Sequence, residues 1–222
     1  MQLTDIAAAL APFTTRLSQQ QLQQIFNYLD LLLKWNARIN LTSVREPQEI
    51  LTRHFGESFF AAEHLLSDLP MNRSFDEPII FDLGSGAGFP GLPLAIYAPH
   101  AKITLLESQN KKATFLKEVG RALTLTNVNV FAGRAEDYAA EAKRKSSPLS
   151  ADVVTLRAVE KFAQALPLAA SLLAPGANGS LALLIGESQL ASAKKALPEF
   201  SWRDPLPLPL SQSRILFIGQ RK

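Results

Sequence analysis

The chain has no cysteine. Disulfides, thiolate metal sites and a cysteine nucleophile are thereby excluded, and the absence fits a reducing cytoplasm. Charge is sparse as well. Charged residues make up 19% of the 222 residues, too few for a disordered chain, while 47% hydrophobic residues supply a core. A long unbroken apolar run is also lacking. The most apolar stretch, 166–186, is cut by Pro175, Gly176, Asn178 and Gly179. It reads as helix, turn and strand, not as a membrane span. The opening MQLTDIAAALAPF has no basic region of the kind that begins a signal peptide. No internal repeat and no metal-ligand cluster is visible.

Charge is unevenly spread. Residues 1–78 hold six Lys/Arg against nine Asp/Glu, and residues 79–222 hold 17 against 11. The larger part is the basic one, so nucleic acid is a permitted partner.

The pattern of elements changes near residue 78. Residues 1–70 read as helical. Ser18-Gln19-Gln20-Gln21 is a capping box, followed by apolar residues at helical spacing to about Trp35. Pro47 stands where a first-turn proline belongs. Residues 71–77 read as a linker, dividing a helical region (1–77) from a second region (78–222). There, short β-rich runs at 79–83, 103–107, 128–132, 152–156, 181–185 and 214–218 alternate with helical stretches. Those stretches fall near 91–98, 109–123, 135–144, 160–173 and 187–197. Repeated βα units predict an α/β fold, a parallel sheet covered on both faces. Residues 143–148 read as a basic solvated loop, and 204-DPLPLPL-210 as a loop or sheet edge.

The first run of this region ends in FDLGSGAGFPGLPLAI (81–96). Gly84 and Gly86 let the backbone turn and approach a ligand at a strand's carboxyl end. Phe89 stands where a dinucleotide loop wants glycine, which disfavours a pyrophosphate. Glu107 ends the second strand, where an acid can accept both hydroxyls of a ribose. A glycine loop with a ribose acid but no pyrophosphate spacing points to S-adenosyl-L-methionine. After the third strand, Ala135 and Glu136 stand where an adenine edge could be met, or where a helix simply begins with acids.

Elimination narrows the transfer. Methylation of cytosine C5 wants a cysteine nucleophile. Exocyclic amines are served by an Asn/Asp-Pro-Pro-aromatic turn after the fourth strand, where this chain has Thr155-Leu156-Arg157-Ala158. Guanine N7 carries a free lone pair and no proton, so it needs no base. In-line positioning alone supplies roughly 7–11 kcal/mol. Arg157, at the fourth strand's tip, is the catalytic candidate. It could pair with the cofactor carboxylate or a substrate phosphate.

The stretch KWNARINLTSVREPQEILTRHFGES (34–58), together with the glycine loop, resembles the RsmG (GidB) family. The resemblance runs from about residue 20 to about residue 200. It implies a Rossmann-like class I S-adenosylmethionine-dependent methyltransferase fold with an N-terminal helical extension. The implied reaction is methylation of N7 of guanosine 527 in 16S rRNA of the small ribosomal subunit. It also implies cofactor contacts at Gly84, Phe89, Ala135, Glu136 and Arg157. Asn40, Thr42, Ser43, Arg45, Arg53 and His54 match the family's N-terminal motif, and Asn40, Arg45, Arg53 and His54 are the substrate-binding candidates. Arg45 and Arg53 could reach RNA phosphate. His54 falls on an apolar helix face, where a structural histidine is the commoner case, and Asn40 to Ser43 could serve to cap and turn the chain. Two residues depart from the family pattern. Ile185 stands where a lysine is frequent, and Glu57 where an aspartate is usual. A cytoplasmic monomer is expected. Two rival readings remain. A nicotinamide dehydrogenase is disfavoured by Phe89 and by the lack of length for a second domain. A non-catalytic S-adenosylmethionine- and RNA-binding ribosome assembly factor is kept open by Ile185.

Overall fold

The computed structural model describes residues 1–14, 16–67, 77–144, 151–158, 162–174 and 179–222. The expected linker, apart from Glu77, lies outside the described residues. So do residues 145–148 of the basic loop, the start of the 160–173 helix, and Pro175, Gly176 and Asn178.

The helical N-terminal part comprises α1 (Leu3–Leu10), α2 (Gln19–Asn36), α3 (Pro47–Ile50) and α4 (Glu57–Ser67), with a π-helical turn, Leu51–Gly56, joining the last two. The capping box at α2 forms as expected. Gln21 N–H donates to Ser18 Oγ, and Ser18 N–H to Gln21 Oε1, at 3.3 and 2.8 Å. Residues 37–46 are not helical, contrary to the expectation of helix throughout. Asn36 is the physical reason. Its side-chain carbonyl accepts from the N–H groups of Leu41 and Thr42, and its amide donates to Thr42 O. These bonds stabilise a turned backbone in place of a further helical turn.

The rest alternates. The elements are β1 (Ile79–Leu83), α5 (Gly91–Tyr97), β2 (Lys102–Glu107), α6 (Asn110–Ala122), β3 (Val128–Ala132), α7 (Ala135–Arg144), β4 (Val153–Arg157), α8 (Phe162–Leu172), β5 (Ser180–Gly186), α9 (Leu190–Ala196), β6 (Phe200–Trp202), β7 (Leu206–Pro207) and β8 (Arg214–Arg221). They form one sheet of order β3-β2-β1-β4-β5-β8-β6, with β7 also on β8. β1 to β5 are parallel, but β8 runs antiparallel to β5, so the sheet is mixed. Pro207 sits in a two-residue edge strand, where its missing N–H costs nothing. The order reverses between β1 and β4. In such sheets ligands bind at that crevice.

Two apolar cores cover the two faces. One joins α7, α8 and α9 to the sheet through residues such as Leu156, Leu166 and Phe217. The other is continuous from the N-terminal helices to the sheet. It unites Ile6, Ile25, Phe55 and Phe59 with Leu92, Ile103 and Leu105. Its centre is aromatic. Phe89, from the glycine loop, stacks on Tyr28 of α2 at 5.3 Å and meets Phe55 edge-on at 5.0 Å. The Tyr28 hydroxyl donates to Ala87 O at 2.5 Å. The N-terminal helices therefore brace the loop from behind. Asp82 braces it from below. Its carboxylate accepts from Thr155 Oγ1 at 2.7 Å and from Gly91 N–H, the start of α5, at 3.2 Å.

Two outcomes are expected. Phe55 is fully buried where the helices meet the loop. Phe55→Ala should cost about 3–5 kcal/mol in denaturant unfolding, since a ring-sized cavity opens there. Secondly, burial pushes the Asp82 carboxyl up to about 6, against bonds from Thr155, Ser85 and Gly91 that lower it. The folded chain thus holds this proton more tightly than the unfolded chain does. Stability from this group is present in acid and is lost as pH rises through about 4 to about 6. Asp82→Asn should gain on the native chain over that interval, by on the order of 3 kcal/mol. Thermal unfolding of both proteins across the pH series measures it.

Candidate functional site

A cleft of about 580 Å³ opens over the carboxyl ends of β1, β2, β4 and β5. One wall is the glycine loop. Gly84 and Gly86 have φ of 71° and 58°, in the left-handed region that favours glycine. A Cβ on Gly86 would meet nothing nearer than Gly84 O at 3.8 Å. The need for glycine there is conformational, and the bare loop leaves the cleft open.

Glu107 lies beside this loop, buried. Its Oε2 accepts from Gly86 N–H at 2.8 Å and its Oε1 from Gln109 N–H at 2.7 Å. The acid expected to hold a ribose therefore also fastens the loop. A carboxylate accepts about four hydrogen bonds, so about two positions remain for hydroxyl groups. A bare loop and a fixed acid at the strand tip fit an adenosine with a ribose and no pyrophosphate.

The opposite wall is built around Arg157. Its side chain is only 10% exposed. Nη2 donates to Arg53 O and to His54 Nδ1, both at 2.7 Å, and lies 3.4 Å from Glu57 Oε2. The π-helical turn carries both Arg53 and His54, and its wide pitch is of the kind found at functional sites. Glu57, 2% exposed, also pairs with Arg214 of β8. Burial raises the Glu57 carboxyl against the lowering pull of Arg157, Arg214 and Arg53. Burial also lowers Arg157, to about 10, with Glu57 opposing. At neutral pH the cluster is one carboxylate between two guanidinium groups, because a neutral Glu57 would leave Arg157, its side chain only 10% exposed, without a counter-charge. Ala158, next to Arg157, has φ of 49°, a strained value for alanine.

His54 is neutral here. Burial, then the charge of Arg157, drives its imidazole down to about 3. The tautomer follows from the partners. Arg157 can only donate, so Nδ1 accepts, and the proton resides on Nε2. That N–H faces Thr42 Oγ1 at 2.8 Å.

Of the residues expected from sequence, Gly84, Gly86, Phe89, Glu107, Arg157, Arg53 and His54 all line this cleft. Asn40, Arg45, Ala135 and Glu136 do not. Asn40, Arg45 and Glu136 are exposed, and Ala135 is buried at the start of α7. His54 is the buried histidine its helix position suggests, yet it borders the cleft. Arg157 is not a free tip residue. It is spoken for on one edge by Arg53, His54 and Glu57, so truncating it would disturb packing as well as chemistry. Ile185 is buried in the sheet's core and lines the cleft without charge. The second cation comes from the neighbouring strand, where Arg214 lies opposite Gly186. Sequence reasoning missed Arg214, Thr42 as a site group, and the reach of Glu57 to Arg157. An arginine opening a β-run carries no local signal, and Glu57 was noticeable only as a departure from a family pattern.

The sequence matches the family described as rRNA small subunit methyltransferase G (GidB) over residues 21–203. A protein of that name from Lactococcus lactis subsp. cremoris (strain SK11) is 35% identical over 197 residues, covering 87% of this chain and 78% of its own length. Another, from Bacillus subtilis (strain 168), is 36% identical over 199 residues, covering 89% and 79%. Among solved structures, P. horikoshii TYW2 in complex with MeSAdo superposes with a TM-score of 0.53 at 15% identity. That match covers 75% of this chain and 63% of the solved chain, less than two thirds of its length, and shows shared fold. The Rossmann-like sheet, the helices on both faces and the cleft at the β1/β4 crevice are those of class I S-adenosylmethionine-dependent methyltransferases. With the family matched over most of its length, the chain is a member of the rRNA small subunit methyltransferase G (GidB) family.

Proposed function

We propose that this protein transfers the methyl group of S-adenosyl-L-methionine to N7 of guanosine 527 of 16S rRNA, presented by the small ribosomal subunit, and that it acts as a cytoplasmic monomer. The observation that carries this reading is the absence, among the described residues lining the cleft, of a side chain poised to take a proton. Among the described lining residues the only carboxylate is Glu107, whose two oxygens accept backbone N–H groups and whose remaining acceptor positions are taken by the ribose in this reading. The only lining imidazole is His54, whose one basic nitrogen is covered by Arg157. The other titratable groups there are Arg53, Lys112, Arg157 and Arg214. Such a site suits a nucleophile that arrives with its lone pair free.

When bound, S-adenosylmethionine supplies an electrophilic methyl group on a sulfonium. The N7 lone pair forms the new N–C bond as the C–S bond breaks and its electron pair goes to sulfur. No proton leaves, and the positive charge passes to the purine. Glu107 accepts from the ribose hydroxyls, and the loop at Gly84 to Gly86 lets the ligand lie against main chain. Arg157 fixes the wall that faces the methyl group. Arg53, 45% exposed at the mouth, and Arg45, exposed beyond it, meet RNA phosphate. Glu57 offsets part of the positive field that would otherwise oppose a cationic product.

The test uses small subunits that lack the modification, S-adenosylmethionine with a labelled methyl group, and identification of the labelled nucleoside. The expected product is 7-methylguanosine at a single position. It is located by the strand scission that borohydride and aniline cause at N7-methylated guanosine. Subunits that bind the protein yet gain no label would favour a non-catalytic assembly factor.

A further inference from the structure

The hydroxyl of Thr42 has an unusual hydrogen-bond balance. It lies on the cleft wall, half-buried. A threonine hydroxyl offers two acceptor lone pairs and one hydrogen, and in most settings it can either give or take. Here both lone pairs are occupied. One accepts from His54 Nε2–H at 2.8 Å, and the other from Val44 N–H at 3.2 Å. The direction of the first bond is not free to reverse. Arg157 has no acceptor atoms, so it forces His54 Nδ1 to accept and places the imidazole proton on Nε2. The backbone of Thr42 is equally fixed, with Asn36 bonded to both its N–H and its C=O. Thr42 therefore keeps one capability, donation of its hydrogen. No described residue accepts that hydrogen, and the side chain borders the cleft.

The edge of a purine at which N7 is methylated carries one other polar group, at position 6. Guanine has an oxygen acceptor there, and adenine has an amino donor. N7 itself must stay free to react, so recognition along that edge falls on position 6. A group that can only donate accepts the first base and rejects the second.

We propose that Thr42 is a specificity-determining residue that donates a hydrogen bond to O6 of the target guanine, and that the relay Arg157–His54–Thr42 fixes it as a donor. This rests on the guanine N7 reading above. The same chain explains why a buried arginine and a neutral histidine stand behind a short polar side chain. Their effect at the cleft is to set the direction of one hydrogen bond.

The test is a cycle of two enzymes and two bases. Small subunits are reconstituted with rRNA carrying guanine or 2-aminopurine at the target position. 2-Aminopurine keeps N7 and replaces O6 by hydrogen. Transfer by the native chain and by Thr42→Val is measured on both, with S-adenosylmethionine affinity and thermal stability alongside. On guanine, Thr42→Val should lower kcat/KM about 10- to 100-fold, the usual range for losing a hydrogen bond to a reacting substrate. On 2-aminopurine the two enzymes should agree within about 2-fold, because the bond is already gone. Thr42→Ser, which keeps the hydroxyl, should stay within about 3-fold of the native chain on guanine. An equal loss on both bases would overturn the proposal and leave Thr42 a structural residue. Weakened S-adenosylmethionine binding with the base preference intact would overturn it too, assigning the hydroxyl to the cofactor. If the native chain forms no 7-methylguanosine on guanine-containing subunits, the functional reading itself fails, before Thr42 is tested.

Discussion

The pairing of Arg157 with Glu57 is the contact on which the rest of the cleft depends. Glu57 comes from the N-terminal helices and Arg157 from the tip of β4, a hundred residues apart in sequence. Glu57 is buried and the Arg157 side chain is only 10% exposed, so neither charge can be left without the other. Taking ions out of water costs several kcal/mol each, and only close geometry offsets that. The pair thus ties the helical region to the sheet at the edge of the binding crevice. From this one contact the orientation of His54 follows, and from His54 the state of Thr42. Arg214 joins from β8 and makes the cluster a junction of three parts of the chain.

The aromatic core serves the same end from behind. Tyr28, Phe55 and Phe89 fix the glycine loop against α2 and the π-helical turn, and Tyr28 fastens the Ala87 carbonyl. Helix, loop and strand tips then present rigid walls. For a transfer without proton chemistry, rigidity of the walls is the main resource, because catalysis comes from holding three atoms in line. The electrostatics agree. The sulfonium and the product purine carry the same charge, so the net charge of the filled cleft does not change during transfer. A partly neutralised arginine cluster tolerates both states.

Much of this was legible in the sequence, and the gaps have physical causes. The β-runs of the sheet and the glycine loop stand out because apolar periodicity and bare backbone are local properties. VNVFA at 128–132 and the helix at 135–144 fall where the pattern places them. β6 was missed because three residues hold no period, whereas β7 falls inside 204–210, the segment read as a loop or sheet edge. The reversed direction of β8 was invisible, since a continuous apolar run reads the same either way. Glu107 was identified as an acid at a strand tip, yet its grip on Gly86 required the fold. His54 and Thr42 were both in view as members of a motif. Their roles were not, because the direction of a hydrogen bond depends on a partner, Arg157, that only the tertiary structure brings within 2.7 Å. Asn40 and Arg45 show the converse. They share the motif with Thr42 but lie outside the cleft.

The most direct single measurement is the pH dependence of methyl transfer in one turnover, with enzyme in excess over small subunits. Transfer driven by positioning alone should be flat from about pH 7 to about pH 8.5, since no side chain must gain or lose a proton there. His54 titrates near about 3 and Arg157 near about 10, outside that interval. A rate that rises or falls tenfold per pH unit within it would reveal an essential acid or base in the cleft, and would contradict a site that works by holding guanine N7 and the methyl group in line.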